Sequence, residues 1–363
     1  MDQETLLGEL RTVPLWKDYR PTPLIELPRL ARHAQIGRLF VKVEGARPLG
    51  NFKVLGGVLA GLRAIARAVG AASIHELTDG QSARVLPRLI CASDGNHGLA
   101  VAVAAQTAGT TASIYLPLNV SRDRCARIEG VGATLVRVNG TYDDAVDQAA
   151  AAAKRGEGLL IPDTTSDPAD PVVRDVMAGY ALLSSELVQQ FVAFGEQPSH
   201  LFVQAGVGGL AASIACGLHT RMREPRQIVV VEPDTASCVS RALAARRPVR
   251  IEGTLTTAAE MLSCGLASAP ALEILLRHRV KSVLVTDKRL HAAVQTLRQM
   301  GGPDSTPSGS AGLAGLLAVC FDEAWCREHA LALDSTALIV ATESSNAHGY
   351  VASDAHGASV PDI

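Results

Sequence analysis

The sequence contains few aromatic residues and no long apolar segment. Phe, Trp and Tyr make up 4% of the 363 residues, although hydrophobic residues make up 47%, so Ala, Val and Leu must form most of the core. This balance favours a parallel sheet covered by Ala-rich helices over an aromatic-rich β-sandwich. No apolar run approaches the roughly 20 residues that a membrane-spanning helix needs. We therefore expect no membrane segment.

An excess of charge of one sign is also lacking. The chain has 34 basic and 36 acidic residues, which gives a formal net charge of -2. Binding to nucleic acid or to a membrane surface depends on a basic patch, so neither partner is expected. The N-terminal segment MDQETLLGELRTV has no basic region followed by an apolar stretch, which argues against a signal peptide. We therefore predict a cytoplasmic protein.

Paired cysteine motifs are absent as well. The chain has seven cysteines, an odd number, and no CxxC pair. In a chain of this length such cysteines indicate reduced, mostly buried thiols of a cytoplasmic protein. The sequence predicts no required metal ion.

What the sequence does show is a regular alternation of β-like and helix-like segments. Their order predicts βαβ units and a doubly wound, parallel sheet. The length favours two lobes, and the Pro- and Asp-rich stretch 166–171 is the predicted boundary between them. The predicted strands are 37–44, 88–93, 111–118, 134–140, 158–163, 200–206 and 227–233, and the predicted helices are 51–70, 94–109, 123–133, 142–156 and 174–194.

The first candidate for chemistry is the turn GNFKVLGG (50–57), in which Lys53 opens a helix. Most lysines are solvated surface groups, but Lys53 lies between Phe52 and Val54 in an apolar stretch. Burial would lower the pKa of its amine and make it available as a nucleophile.

The second candidate is QAGVGGLAAS (204–213), where glycines follow an apolar strand and a helix begins. The free N–H groups of such a helix start bind anions. The spacing lacks the lysine of a P-loop and the GxGxxG of a dinucleotide fold, so a single phosphate suits it best. An ordinary Gly-rich turn is the alternative.

The third candidate is CASDGNHG (91–98), a turn between a strand and a helix. The amide of Asn96 would reach a ligand above the strand ends, with Asp94 beside it, although the segment could be only a capped turn. His97 on its own is best explained as structural. Together, the three candidates suit a cofactor with an aldehyde for Lys53, a phosphate for the glycine loop and a ring substituent for Asn96. That cofactor is pyridoxal phosphate.

The motifs also resemble those of a known superfamily. The run RPTPLIELPRLA (20–31), followed by NFK, SDGNHG and AGVGG, is similar to the fold type II, tryptophan synthase β-like, pyridoxal-phosphate enzymes from about residue 20 to 350. Within it, NFKVLGG, DGNHG, YDD, PDT, MAGY, ATES and LSCGLASAPALEILL most resemble the diaminopropionate ammonia-lyase family. The resemblance implies a two-lobed α/β fold of twisted, mostly parallel sheets with helices on both faces. We expect 1–53 and 172–363 to form the large cofactor-binding domain and 54–171 a smaller inserted α/β domain.

The resemblance further implies roles for individual residues. Lys53 would form a Schiff base with the cofactor, next to Phe52, and Asn96 would hydrogen-bond the ring hydroxyl oxygen. Thr342, at the end of strand 336–342, would accept or share the proton at the pyridine nitrogen, with Ser344 as the second choice. The phosphate would be bound by backbone N–H groups of Gly206, Val207, Gly208, Gly209 and Leu210.

The implied reaction is α,β-elimination from a β-substituted amino acid, with 2,3-diaminopropionate as the favoured substrate. It would yield a 2-oxo acid and ammonia through aminoacrylate. Lys53 or Asp94 would remove the Cα proton, and Asp94 and Asp163 would serve proton transfer and the second amine of the substrate. Asp163 could instead cap the turn after its strand. A β-replacement synthase, a serine or threonine dehydratase-like enzyme, an isomerase or racemase, and a chain that binds cofactor without turnover are the alternatives.

The sequence departs from the family in three segments, and the last two of these lie near the substrate pocket of the family. The turn GARPLGNF is one residue shorter, SDPADP follows PDT where the family has aromatic and Gly-rich residues, and Glu260 replaces an expected small residue. These changes affect the substrate prediction more than the cofactor prediction. The partners implied are a small amino-acid substrate and a second copy of the chain in a homodimer.

Overall fold

The structure is a computed structural model that describes residues 8–78, 85–93, 95–118, 120–140 and 142–345. Asp94, one of the predicted catalytic residues, lies outside the described residues. Within these ranges the strands are β1 Leu24–Glu26, β2 Arg38–Val43, β3 Leu89–Ala92, β4 Ala112–Pro117, β5 Thr134–Val138, β6 Leu159–Leu160, β7 His200–Gln204, β8 Gln227–Pro233, β9 Lys281–Val285 and β10 Thr336–Ala341.

The helices alternate with these strands along the chain. They are α1 Pro28–His33, α2 Lys53–Val69, α3 His75–Thr78, α4 Asn96–Ala108, α5 Arg122–Glu129, α6 Tyr142–Lys154, α7 Pro171–Phe194, α8 Gly209–Leu218, α9 Cys238–Ala245, α10 Ala269–Arg277, α11 Asp287–Gln299, α12 Ala311–Cys320 and α13 Glu323–Glu328. Short 3-10 helices cover Pro14–Trp16, Glu44–Ala46, Pro48–Gly50, His219–Arg221 and Glu260–Leu262.

The strands form two sheets. The larger has six strands in the order β1-β2-β10-β7-β8-β9, and the smaller has four in the order β5-β4-β3-β6. Every pairing is parallel except that of β1 with β2. The parallel, doubly wound arrangement is therefore confirmed. The strands of the smaller sheet all fall within 54–171, but the division of the chain into two domains stays a prediction.

Buried side chains lie on both faces of each sheet. One face of the larger sheet packs on α2, α7 and α8, and the other on α1, α11 and α12. The outer face of the smaller sheet is covered by Ala145, Ala149 and Ala152 of α6, whose spacing places them on one side of that helix. Within the described ranges, no helix combines the length and the hydropathy that crossing a bilayer requires.

Glycines allow α2 and α7 to approach closely. A Cβ atom added to Gly56 of α2 would lie 2.5 Å from the carbonyl oxygen of Val176 in α7. A Cβ atom added to Gly179 of α7 would lie 2.3 Å from the carbonyl oxygen of Leu55. Any side chain at either position would push the helices apart. The close crossing explains Gly56 of the NFKVLGG motif and Gly179 of the MAGY motif, and it fixes the position of the first turn of α2.

Several predicted boundaries need correction. The helix expected from Asn51 begins at Lys53, and the helix expected from residue 174 begins at Pro171, because the side chain of Asp170 caps it by accepting hydrogen bonds from two N–H groups. The strand expected over 158–163 is reduced to β6, because the chain then leaves the sheet edge. The edge strands β1 and β9 are absent from the sequence-based prediction.

Of the seven cysteines, all free, three are buried and one is exposed. The expectation of mostly buried thiols is therefore correct only in part.

Candidate active site

One cavity is lined by residues that follow the carboxyl ends of strands from both sheets. Ser93 follows β3, Asp163 follows β6, Gly206 follows β7 and Thr342 follows β10. Lys53 lines the same cavity from the start of α2. The carboxyl ends of parallel strands are where α/β proteins bind ligands, because the loops there converge on one crevice.

The turn before α2 places Lys53 in this cavity. The side chain of Asn51 accepts a hydrogen bond from the backbone N–H of Lys53 at 3.0 Å, and its amide donates to the carbonyl oxygen of Leu49 at 2.9 Å. The N–H of Phe52 donates to the carbonyl oxygen of Thr342 at 3.1 Å. The lysine turn is therefore fixed to the chain that leaves β10.

The amine of Lys53 is paired with a carboxylate. Its Nζ atom lies 2.5 Å from Oδ2 of Asp163, and both side chains are partly buried. Burial has the largest single effect on the pKa of Lys53 and lowers it, but the charge and hydrogen bond of Asp163, together with Tyr180 and Cys264, outweigh burial and raise that pKa above its usual value. Burial therefore acts in the expected direction, but the expectation that the pKa of Lys53 is lowered is wrong. Burial likewise acts to raise the pKa of Asp163, but the neighbouring Lys53 and His97 lower it to about 2.

The glycine loop forms the wall of the cavity at the start of α8. Gly208 has a φ of +96°, a conformation that favours glycine, and α8 begins at the next residue. The carbonyl oxygen of Val207 accepts a hydrogen bond from Ser268 at 2.9 Å, which anchors the loop. Among the described residues, no hydrogen bond is donated by the N–H groups of 206–210. These are the donors that a phosphate group would need.

Asn96 is the first residue of α4, not a turn residue as the sequence suggested. Its side-chain amide donates a hydrogen bond to Oε2 of Glu343. The other oxygen of that carboxylate accepts a hydrogen bond from the hydroxyl of Thr306 at 2.5 Å. Asn96 and Glu343 both line the cavity.

Thr342 lines the same cavity. Its hydroxyl oxygen accepts a hydrogen bond from Nε2 of Gln204 at 2.9 Å, so its own hydrogen is free to be donated. Ser344, the second candidate for the pyridine nitrogen, lines a neighbouring cavity with Arg124 and Arg127 and does not line this one. The geometry therefore favours Thr342 over Ser344, although the role stays a prediction.

Three buried polar atoms around the cavity have no hydrogen-bond partner within the described part of the chain. They are the hydroxyl of Tyr180, Nδ1 of His97 and Oε1 of Gln204. His97 is held through its other ring nitrogen by the carbonyl oxygen of Ile161 at 3.0 Å, and burial lowers its pKa. Burial raises the pKa of Tyr180 to about 12. His97 and Tyr180 are therefore neutral near pH 7.

Residues 260–264 also line the cavity. A Cβ atom added to Gly95 would lie 2.7 Å from Sδ of Met261, and one added to Gly206 would lie 3.0 Å from Sγ of Cys264. Glu260, which the sequence marked as unusual, is largely exposed and forms an ion pair with Arg124 of α5. This ion pair joins a helix that connects strands of the smaller sheet to a 3-10 helix that connects strands of the larger sheet.

The described residues fit pyridoxal phosphate. The N–H groups of 206–210, which have no acceptor among the described residues, are suited to its phosphate and Lys53 to its aldehyde. Asn96 is suited to its ring hydroxyl oxygen and Thr342 to its ring nitrogen. Of the predicted site residues, the cavity lining includes Phe52, Lys53, Asn96, Asp163, Gly206, Val207, Gly208, Gly209, Leu210 and Thr342. The cavity is also lined by three residues for which the sequence predicts no site role, Tyr180, Gln204 and Glu343. Tyr180 and Glu343 fall within the MAGY and ATES motifs.

Comparison with known proteins identifies the class. The model of the pyridoxal-phosphate dependent enzyme family matches residues 15–324, so the chain belongs to this family, and the predicted cofactor is confirmed. The chain is 30% identical over 339 residues to diaminopropionate ammonia-lyase of Escherichia coli strain K12, which covers 90% of this chain and 84% of that protein. It is 29% identical over 276 residues to the human serine dehydratase-like protein, covering 76% and 75% of the two chains.

A solved structure shows the same fold. The crystal structure of Escherichia coli diaminopropionate ammonia-lyase in complex with an aminoacrylate-PLP azomethine reaction intermediate superposes with a TM-score of 0.81 at 28% identity. The match covers 94% of this chain and 89% of that one. The fold type II prediction is therefore confirmed.

Proposed function

We propose that this chain catalyses the α,β-elimination of 2,3-diaminopropionate to pyruvate and ammonia. The observation that carries the proposal is the contact between the Lys53 amine and the Asp163 carboxylate, at 2.5 Å, in the cavity bounded by the glycine loop. The sequence similarity to diaminopropionate ammonia-lyase supports the same substrate.

The charges in the cavity favour a substrate with a second ammonium group. Among the described lining residues, Lys53 is the one Lys or Arg, whereas Asp163, Glu260 and Glu343 are acidic. A Lys53 nitrogen that holds the cofactor, or that stands as a neutral amine ready to take a proton, would no longer present an ammonium group to Asp163. A partly buried carboxylate without a cation is unfavourable. An ammonium group on Cβ of the substrate would restore the pairing.

The same residues account for the steps of the elimination. Bound pyridoxal phosphate supplies an electron sink for the charge that develops at Cα. The freed amine of Lys53 would take the Cα proton. Asp163 would orient the β-ammonium group, which leaves as neutral ammonia when the Cβ–N bond breaks and so needs no proton from the protein. Addition of water to the remaining three-carbon product then releases pyruvate and a second ammonia.

Elimination from serine is a second candidate, because the human serine dehydratase-like protein is a relative. Its leaving group is a hydroxyl, which needs a proton donor to depart. While it is paired with Lys53, Asp163 has its pKa lowered to about 2 and is ionised near neutral pH, so donation to a hydroxyl leaving group would require Asp163 to gain a proton once that pairing is lost. An ammonium leaving group needs no such proton, so the cavity suits an ammonium substrate better.

A product assay on the cofactor-loaded protein tests the proposal. The L and D isomers of 2,3-diaminopropionate, serine and O-acetylserine are each incubated with and without an added thiol. We expect pyruvate from diaminopropionate without a thiol, at a kcat/KM well above that for serine. A new amino acid that forms only when the thiol is added would show β-replacement instead. If serine is the one substrate that yields pyruvate, the protein is a dehydratase.

The homodimer implied by the resemblance and the cytoplasmic location predicted from the sequence remain part of the proposal. Light scattering on the purified protein tests the first, because a mass near 38 kDa would indicate a monomer.

A further inference from the structure

Glu343 is held in the cavity from several sides. Its carboxylate accepts hydrogen bonds from the amide of Asn96 and the hydroxyl of Thr306. Its backbone pairs with Asn51, two residues before Lys53, and its carbonyl oxygen accepts a hydrogen bond from Ser305 at 2.8 Å. The two hydrogen bonds to the carboxylate fix the side chain, whereas the backbone contacts only hold the chain that carries it beside the lysine turn.

The contact with Asn96 determines which way that amide points. A carboxylate only accepts hydrogen bonds, so the NH2 group of Asn96 must face Glu343, and its carbonyl oxygen must face away. One N–H of Asn96 is used by Glu343, and the second has no acceptor among the residues that the structure describes. A ring oxygen that carries negative charge needs a donor, which this second N–H can be.

We infer that Glu343 is a positioning residue that orients the Asn96 amide so that it donates to the ring oxygen of the bound cofactor. The inference rests on the proposed role of Asn96 and is independent of which amino acid the enzyme consumes. Burial raises the pKa of Glu343, while the hydrogen bonds from Thr306 and Asn96 act against the rise. Loss of the acceptor-only carboxylate would allow the amide to turn and present its oxygen to the ring oxygen.

A double-mutant cycle tests the inference. Glu343→Gln, Asn96→Ala and the double variant are purified, and pyridoxal phosphate affinity and the absorption maximum of the bound cofactor are measured for each. In the otherwise native chain we expect Glu343→Gln to weaken affinity about tenfold and to shift the maximum. In the Asn96→Ala background the same change should have no further effect, because Glu343 acts through Asn96. An equal loss in both backgrounds would overturn the inference.

A matched control separates this role from support of the fold. Ser305→Ala removes a hydrogen bond to the backbone of Glu343 without touching its carboxylate, so affinity and absorption should stay unchanged. If the Ser305→Ala variant reproduces the Glu343→Gln spectrum, the effect is a local packing effect and the inference fails.

Two further outcomes are decisive. If Glu343→Gln does not fold, Thr306→Val removes the second anchor of the carboxylate and should produce a smaller shift in the same direction; no shift would refute the inference. If Asn96→Ala alone leaves the spectrum unchanged, the role of Asn96 is wrong and the inference falls with it. The elimination proposal is decided separately by pyruvate formation.

Discussion

The amine of Lys53 and the carboxylate of Asp163 are 2.5 Å apart, although 110 positions separate them in the sequence. Lys53 opens α2, beside the larger sheet, and Asp163 follows the last strand of the smaller sheet. The contact therefore joins the lysine predicted to bind the cofactor to the segment just before 166–171, where the sequence departs from the family. It also shows that the cavity holds an ammonium group against a carboxylate.

Replacing Asp163 tests this relationship. In Asp163→Asn the substrate ammonium loses a charged partner, so we expect kcat/KM for diaminopropionate to fall by roughly 10²- to 10³-fold and that for serine to fall much less. Asp167→Asn, in the exposed turn nearby, should leave both values unchanged. An equal fall for both substrates would remove the reason for assigning Asp163 to the ammonium group.

The glycine loop gives a prediction about cofactor affinity. Gly208 has a φ of +96°, so Gly208→Ala strains the loop whose N–H groups face the cavity. We expect the Kd for pyridoxal phosphate to rise about tenfold, measured by absorption titration. Gly301→Ala introduces a similar strain at φ +86° outside the cavity and should reduce stability without changing the Kd.

The crossing of α2 and α7 gives a prediction about stability. The added Cβ atom in Gly56→Ala would meet Val176 at 2.5 Å and the ring of Tyr180 at 2.7 Å. We expect the free energy of unfolding to fall by about 1–3 kcal/mol, measured by urea denaturation. Gly8→Ala is the control, because nothing lies within 4 Å of the added atom, and its free energy of unfolding should stay close to that of the native chain. An unchanged stability for Gly56→Ala would mean that the helices do not cross this closely.

The main parts of the cofactor site are predictable from sequence because each is local. The lysine is recognised by its apolar turn, and the glycines by their place between a strand and a helix. Each of these patterns lies within a short segment, so the predicted role in cofactor binding follows from that segment alone. The strand and helix alternation is local too, so the parallel sheets are expected before any contact is known.

The parts that sequence does not reveal depend on distant contacts. The apolar sequence neighbours of Lys53 predict a lowered pKa for its amine. The largest effect that raises this pKa comes from Asp163, which is distant in sequence and follows a strand of the smaller sheet. Glu343 lies 247 positions from Asn96, and no spacing within either motif indicates their hydrogen bond. The edge strands are short and weakly patterned, so their pairing also depends on the rest of the fold.

A buried carboxyl outside the cavity predicts how stability depends on pH. Glu232 is fully buried and accepts hydrogen bonds from the N–H groups of Val239 and Ser240, yet burial raises its pKa to about 8. In the unfolded chain the pKa of a glutamate is about 4.3. Between these two values the folded protein binds more protons than the unfolded chain, so this group makes stability fall as the pH rises.

Glu232→Gln should remove that contribution. Denaturation of the cofactor-free protein at pH 5 and pH 8 should show a smaller loss of stability in this variant than in the native chain. Glu273→Gln changes an exposed carboxyl and should preserve the native difference. Identical pH dependence in the native chain and the Glu232→Gln variant would show that Glu232 is ionised throughout.

Lys53 is expected to bond covalently to pyridoxal phosphate, and the proposed site depends on this bond. Borohydride reduction of the cofactor-loaded protein, followed by peptide mass mapping, detects the bond. We expect a reduced pyridoxyl group on the peptide containing Lys53 and on no other lysine, and in Lys53→Ala no label and a loss of roughly 10³-fold or more in activity. A label on a different lysine, or full activity of the Lys53→Ala variant, would contradict it.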